Sequence, residues 1–182
     1  MYDPEAFRAV LMPNLHGPEL DVLHRQGVPN EHLFAVERSP LVHQGLLAPL
    51  PQHAHLLGIQ TTPYPMDVLP ALDYAWSVLG RRVDLIYLDF FGQPNFTHLQ
   101  SLRKVFSLRL LPEHGVLILT FGRSRGERVA CHVNRTIARG MMPAQAYVDA
   151  ALEMTGHRSY VRVSNHPYSS DGLPFVTSVF RF

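Results

Sequence analysis

Residues 83–88 read VDLIYL, an apolar stretch broken only by Asp84. Six residues are too few for a packed helix. Their β-branched and aromatic content predicts a strand buried on both faces, as in a parallel sheet. Asp89, Phe90, Phe91 and Gly92 follow at once. A carboxylate, two aromatic rings and a flexible glycine therefore stand where the strand is expected to stop. In open α/β sheets, ligands bind just beyond the carboxyl ends of the strands, which makes this corner the candidate working end. The plain alternative is that Asp89 caps the next helix and the two rings fill the core.

The rest of the chain alternates in the same way. Apolar runs predict strands over 7–12, 32–36, 55–59 and 116–121. Helical periodicity predicts helices over 19–26, 40–47, 66–79, 97–110 and 144–154. Gly27 and Gly80 stop two of these helices, and Ser39-Pro40 starts another. Residues 160–163 and 175–180 read as two last strands. The turn-forming stretch 164–174 between them suits an antiparallel hairpin with a long loop. The expected fold class is α/β. A doubly wound, mostly parallel seven-stranded sheet should end in a C-terminal antiparallel hairpin and carry helices on both faces. At 182 residues the chain has the length of one domain, spanning 1–182.

Composition excludes several classes. Apolar residues make up 46% and charged ones 17%, which argues against disorder. A net charge of +1 gives no global attraction to nucleic acid, so any basic surface must be local. No apolar run reaches the roughly 18 residues of a membrane span. The start, MYDPEAFRAV, lacks the basic-then-apolar pattern of a signal peptide, so a cytoplasmic protein is expected. Eleven histidines invite a metal, notably His53 with His55, and His132 beside Cys131. No zinc-like spacing accompanies them, so no metal site is expected.

Five β/α units closed by a hairpin resemble the class I S-adenosylmethionine-dependent methyltransferases, over nearly the whole chain. Glu37, in LFAVERSP, stands at the end of the second strand. The family places an acid there for the ribose hydroxyls. Asp89, in DLIYLDFFG, stands at the end of the fourth strand, where the family keeps its catalytic motif. LPEHGVLILTF resembles the family's turn into a fifth strand. LDFFGQP is similar to the D-P-F-G-S-P stretch of tRNA guanine N2-dimethyltransferases and, more loosely, to the D/N-P-P-Y motif of amino-directed DNA methyltransferases. Two departures are plain. The family's first loop is glycine-rich, whereas residues 13–18 contain Gly17 alone, and Phe90 stands where the family usually has proline.

The resemblance implies S-adenosylmethionine as cofactor and an amino group of a nucleic-acid base as methyl acceptor. It implies a cofactor site of Asn14, His16, Gly17, Glu37 and Arg38, and a catalytic set of Asp89, Phe90, Phe91 and Gly92. Asp89 would accept a hydrogen bond from the target amine, and Phe90 or Phe91 would stack on the base. Arg123, Arg125 and Arg128 flank the same sheet edge and would take phosphates of a DNA or RNA substrate. The alternative is a methyltransferase-like domain that has lost catalysis and binds a protein, RNA or nucleotide. A nicotinamide-binding Rossmann domain would explain Glu37 but lacks G-x-G-x-x-G. Little room remains for target recognition, so a separate protein partner is a further expectation.

Overall fold

The computed structural model describes residues 3–13, 18–48, 54, 57–80, 83–90, 95–122, 143–155, 160–170 and 173–182. Strands β1 (Ala9–Leu11), β2 (Leu33–Ala35), β3 (Gln60–Thr61), β4 (Leu85–Phe90), β5 (Val116–Gly122), β6 (Val161–Ser170) and β7 (Leu173–Arg181) form one sheet. Its order is β3-β2-β1-β4-β5-β7-β6. The first five strands are parallel, and β7 runs antiparallel to both β5 and β6.

Each long strand is two-faced. Val10, Phe34, Ile86, Leu88, Leu117, Leu119 and Phe180 point into the larger core. Helices α3 (Val68–Leu79), α4 (Phe96–Ser107) and α5 (Pro143–Thr155) cover that face through Leu72, Leu79, Leu99, Leu102, Val105 and Tyr147. Ala9, Leu11, Leu33 and Ala35 point the other way, against Leu20 of α1 (Pro18–Arg25). Helix α2 (Pro40–Leu47) is pinned there by His43, whose Nε2 lies 2.7 Å from the Thr62 carbonyl. Burial of both faces explains why β1, β2 and β4 read as near-continuous apolar runs.

Three boundaries depart from the sequence reading. Strand β4 starts at Leu85 and continues through Asp89 and Phe90, because β5 offers Thr120 and Phe121 as partners. The third strand is not 55–59 but Gln60–Thr61. Gly58 turns the chain at φ 95°, and β2 pairs with β3 only at Phe34 and Ala35. The hairpin has no long loop among 164–170. Most of the expected turn is strand, since pairing with β7 outweighs the turn preference of Ser, Asn and Pro. Pro167 is tolerated because β6 is the edge strand, and a bulge between Arg162 and Ser164 absorbs the register change.

Candidate functional site

Sheet order reverses between β1 and β4, one neighbour leading to β2 and the other to β5. A cleft of about 420 Å³ opens at the carboxyl ends of these strands. Its lining includes Met12 and Pro13 after β1, Glu37 and Arg38 after β2, Met66 and Asp67 before α3, Asp89 and Phe90 of β4, Asn95 before α4 and His98 within it. The position is the one at which doubly wound sheets bind ligands.

On the β2 side, the Ser39 N–H donates to Glu37 Oε1 at 2.6 Å, and among the described residues no other hydrogen bond reaches that carboxylate. The Met66 N–H donates to the Glu37 carbonyl at 3.0 Å and ties the two loops together. Arg38 and Asp67 are exposed and 3.8 Å apart, an ion pair of small energetic weight.

The β4 side is built differently. Asp89 is half-buried. Burial pushes its carboxyl up to about 6, the charge of Glu19 adds to the rise, and a hydrogen bond from Tyr87 opposes it. Glu19 Oε2 is itself buried, with no hydrogen-bond partner among the described residues. Asp89 does not cap the next helix. Asn95 does, accepting from the His98 N–H at 3.1 Å, while His98 Nδ1 accepts from the Asn95 N–H at 3.3 Å. Burial, with the Arg38 charge second, lowers His98 to about 4, so its ring is neutral at pH 7.

Phe90 is 3% exposed. Its ring stacks on His98 at 4.2 Å and on Phe121 at 5.4 Å. Phe90 is thus a wall of the cleft and has no face left for a substrate base.

Of the residues singled out in the sequence, Glu37, Arg38, Asp89 and Phe90 come together on one cleft. Asn14, His16, Gly17, Phe91, Gly92, Arg123, Arg125 and Arg128 lie outside the described residues, as do His53, His55, Cys131 and His132. Sequence reading missed Asp67, Asn95, His98 and Glu19. A signal existed for one pair, since Asn95 three residues before His98 can form a reciprocal cap. Among the described residues no cluster of three or more His, Cys, Asp or Glu could hold a metal, and no helix is long and apolar enough to cross a membrane.

No protein-family model and no curated protein matches the sequence. Solved structures do match. The fibrillarin pre-rRNA processing protein of Methanococcus jannaschii aligns over 99% of this chain and 69% of its own, at 16% identity and a TM-score of 0.52. TrmN from Thermus thermophilus aligns over 96% of this chain at 14% identity and a TM-score of 0.53, but this chain spans only 43% of TrmN. The [4+2]-cyclase SpnF aligns over 97% of this chain and 75% of its own, at 11% identity and a TM-score of 0.58. At 11–16% identity, these neighbours show a shared architecture and carry no reaction over to this chain. From the strand order, the antiparallel hairpin and these neighbours together, the chain has the class I S-adenosylmethionine-dependent methyltransferase fold.

Proposed function

We propose that this protein is an S-adenosylmethionine-dependent methyltransferase acting on an amino group of a nucleic-acid base. The observation that carries the reading is a single cleft joining an acid after β2 to a half-buried acid in β4, across the point where sheet order reverses. The residues present fit the cofactor. The cleft volume lies within the roughly 300–1,000 Å³ usual for small-ligand sites. Among the described residues only the Ser39 N–H engages the Glu37 carboxylate, whose second oxygen would accept from a ribose diol. Met12 and Met66 supply apolar wall, and Asp67 an acceptor for an adenine amino group.

S-adenosylmethionine, when bound, supplies an electrophilic methyl group on a sulfonium. The chain's own part is placement, which provides much of the rate for a reactive donor. Asp89 accepts a hydrogen bond from the target amine and aims its lone pair into the cleft. His98, neutral and locked by its cap, holds Phe90 as a rigid wall behind that point. Stacking on the base falls to Phe91, and phosphate contacts to Arg123, Arg125 and Arg128. A base within a duplex must first be flipped out, and a protein partner would supply target recognition.

The competing reading is a domain that keeps the cleft without catalysis, and the glycine-poor stretch 13–18 favours it. A thermal-shift titration separates the two. S-adenosylmethionine at about 100 times its Kd should stabilise the protein by about 2.7 kcal/mol. Incubation with the methyl-labelled cofactor and total nucleic acid should then leave nuclease-sensitive label. No shift and no label in any fraction would overturn the enzyme reading. Label confined to protein or small molecules would overturn the nucleic-acid part.

A further inference from the structure

Behind the cleft, Phe90 and Phe121 are each 3% exposed, and their rings stack at 5.4 Å. The His98 ring lies on Phe90 at 4.2 Å with 18° between the planes, and meets Phe121 at a tilt at 5.7 Å. One face of the imidazole is thereby covered. Its nitrogen edge is covered as well. Nδ1 accepts from the Asn95 N–H at 3.3 Å, and Nε2 lies 3.2 Å from Asn95 Nδ2. Asn95 Oδ1 accepts from the His98 N–H at 3.1 Å and completes the clamp. His98 nevertheless lines the cleft and is only half-buried, with no further ring contact among the described residues. The surface that it gives the cleft is the face opposite Phe90.

That face is flat and already fixed, so covering it costs little side-chain entropy. Burial and the Arg38 charge keep the ring neutral at pH 7, so no ion is desolvated when a flat group lies on it. His98 belongs to α4, and the ring beneath it is that of Phe90, the residue after Asp89. The groups given above to the cofactor's ribose and adenine, Glu37 and Asp67, come instead from the loops after β2 and before α3. We propose that the outer face of His98 is the stacking surface for the heteroaromatic ring of the target base, beside the amine held by Asp89. The identity of the ligand rests on the methyl-transfer reading, whereas the platform rests on ring geometry. A base has two faces, so His98 takes one and leaves the other to Phe91. The platform selects the substrate class, since a planar ring bearing an amino group stacks on it and an aliphatic amine does not.

The histidine ring protons are followed by NMR, the His98 signals being those lost in His98→Phe and His98→Leu. The protein is mixed with excess S-adenosylhomocysteine, and adenosine, cytidine and guanosine 5′-monophosphates are then titrated in. At least one nucleotide should move the His98 ring protons upfield, because a stacked base places them in its ring current. Ethanolamine and lysine should leave them in place. In calorimetry, His98→Leu should weaken that nucleotide by about tenfold, within the range of one stacked base. His98→Phe, which keeps a flat face and loses both nitrogens, should bind it about as tightly as wild type. No upfield shift with any nucleotide would overturn the proposal, and so would equal affinities in wild type and His98→Leu. A His98→Phe variant as weak as His98→Leu would also overturn it, since the flat face would then not be what binds. An upfield shift already complete with S-adenosylhomocysteine alone would put the cofactor's adenine on His98 and overturn the assignment to the target base. Whether the cofactor binds at all is read separately from the thermal shift, so a failure of the methyltransferase reading is distinct from a failure of the platform.

Discussion

Glu37 follows β2 and Asp89 belongs to β4, with β1 between the two strands in the sheet. Both acids face one cleft, yet their surroundings differ. Glu37 takes a backbone N–H from Ser39 at 2.6 Å and sits beside exposed Arg38. Asp89 is pushed up to about 6 by burial and by Glu19, with the Tyr87 hydroxyl alone working against the shift. A satisfied acid at a strand end holds a ligand at little cost to the fold. An under-satisfied one costs stability, and such sites cluster where chemistry is done. Under the proposed function, the contrast assigns binding to Glu37 and reaction to Asp89 within one cleft.

The largest expected break in that contrast is kinetic. Asp89→Asn keeps the shape and loses the charge, and it should slow methyl transfer by about a hundredfold or more while S-adenosylmethionine affinity holds. Parallel rate and calorimetric measurements check this, and equal losses in both would place Asp89 in the binding half. Glu37→Gln should do the reverse. Loss of a charge-assisted contact of about 1.5–3 kcal/mol weakens the cofactor by roughly ten- to a hundredfold in calorimetry. The maximal rate at saturating cofactor should remain close to wild type.

Stability against pH sharpens the comparison further. Asp89 has a folded-state pKa of about 6 against an ordinary 3.8. The folded state therefore binds more protons between these values, and this group's contribution falls as pH rises through the window. His98 has a folded value of about 4 against 6.5. Its contribution is complete above 6.5 and is lost as pH falls towards 4. The two slopes oppose each other over nearly the same range. Melting temperatures from pH 4 to 7 should rise more steeply with pH in Asp89→Asn than in wild type, and less steeply in His98→Gln. Asp89→Asn should also melt above wild type at pH 7.5. Matching slopes in both variants would show that neither group is perturbed as described. The smallest effect belongs to the exposed Arg38–Asp67 pair. Breaking it with Arg38→Ala should change stability by no more than about 1 kcal/mol, with the residual shrinking in high salt.

The order of elements was legible because burial on two faces leaves a mark in one dimension. Runs such as LIYL and VLILTF cannot be solvated, and the amphipathic stretches between them must lie on the sheet. Glu37 and Asp89 could be placed on the same side of the sheet because both follow or end strands expected to be parallel. Helix α4 was legible, but its cap was not assigned. Asp67 was hidden because the sequence reading began its helix at Met66, two residues before the observed start at Val68, which put Asp67 inside the helix and not at its cap.

Sequence alone thus determined the sequence of β/α units, the closing hairpin and the two acids, since each rests on local pattern or on chain direction. Tertiary structure decided what depends on partners distant in the chain. Pairing with Thr120 and Phe121 kept Asp89 and Phe90 inside β4. Pairing with β7 turned a stretch of turn formers into the ten-residue strand β6. Stacking against His98 and Phe121 made Phe90 a wall and not a platform. The approach of Glu19, 70 positions away, shifted the proton affinity of Asp89. Local sequence records how much a residue must be buried, but not which charge or ring will be found beside it once the chain has folded.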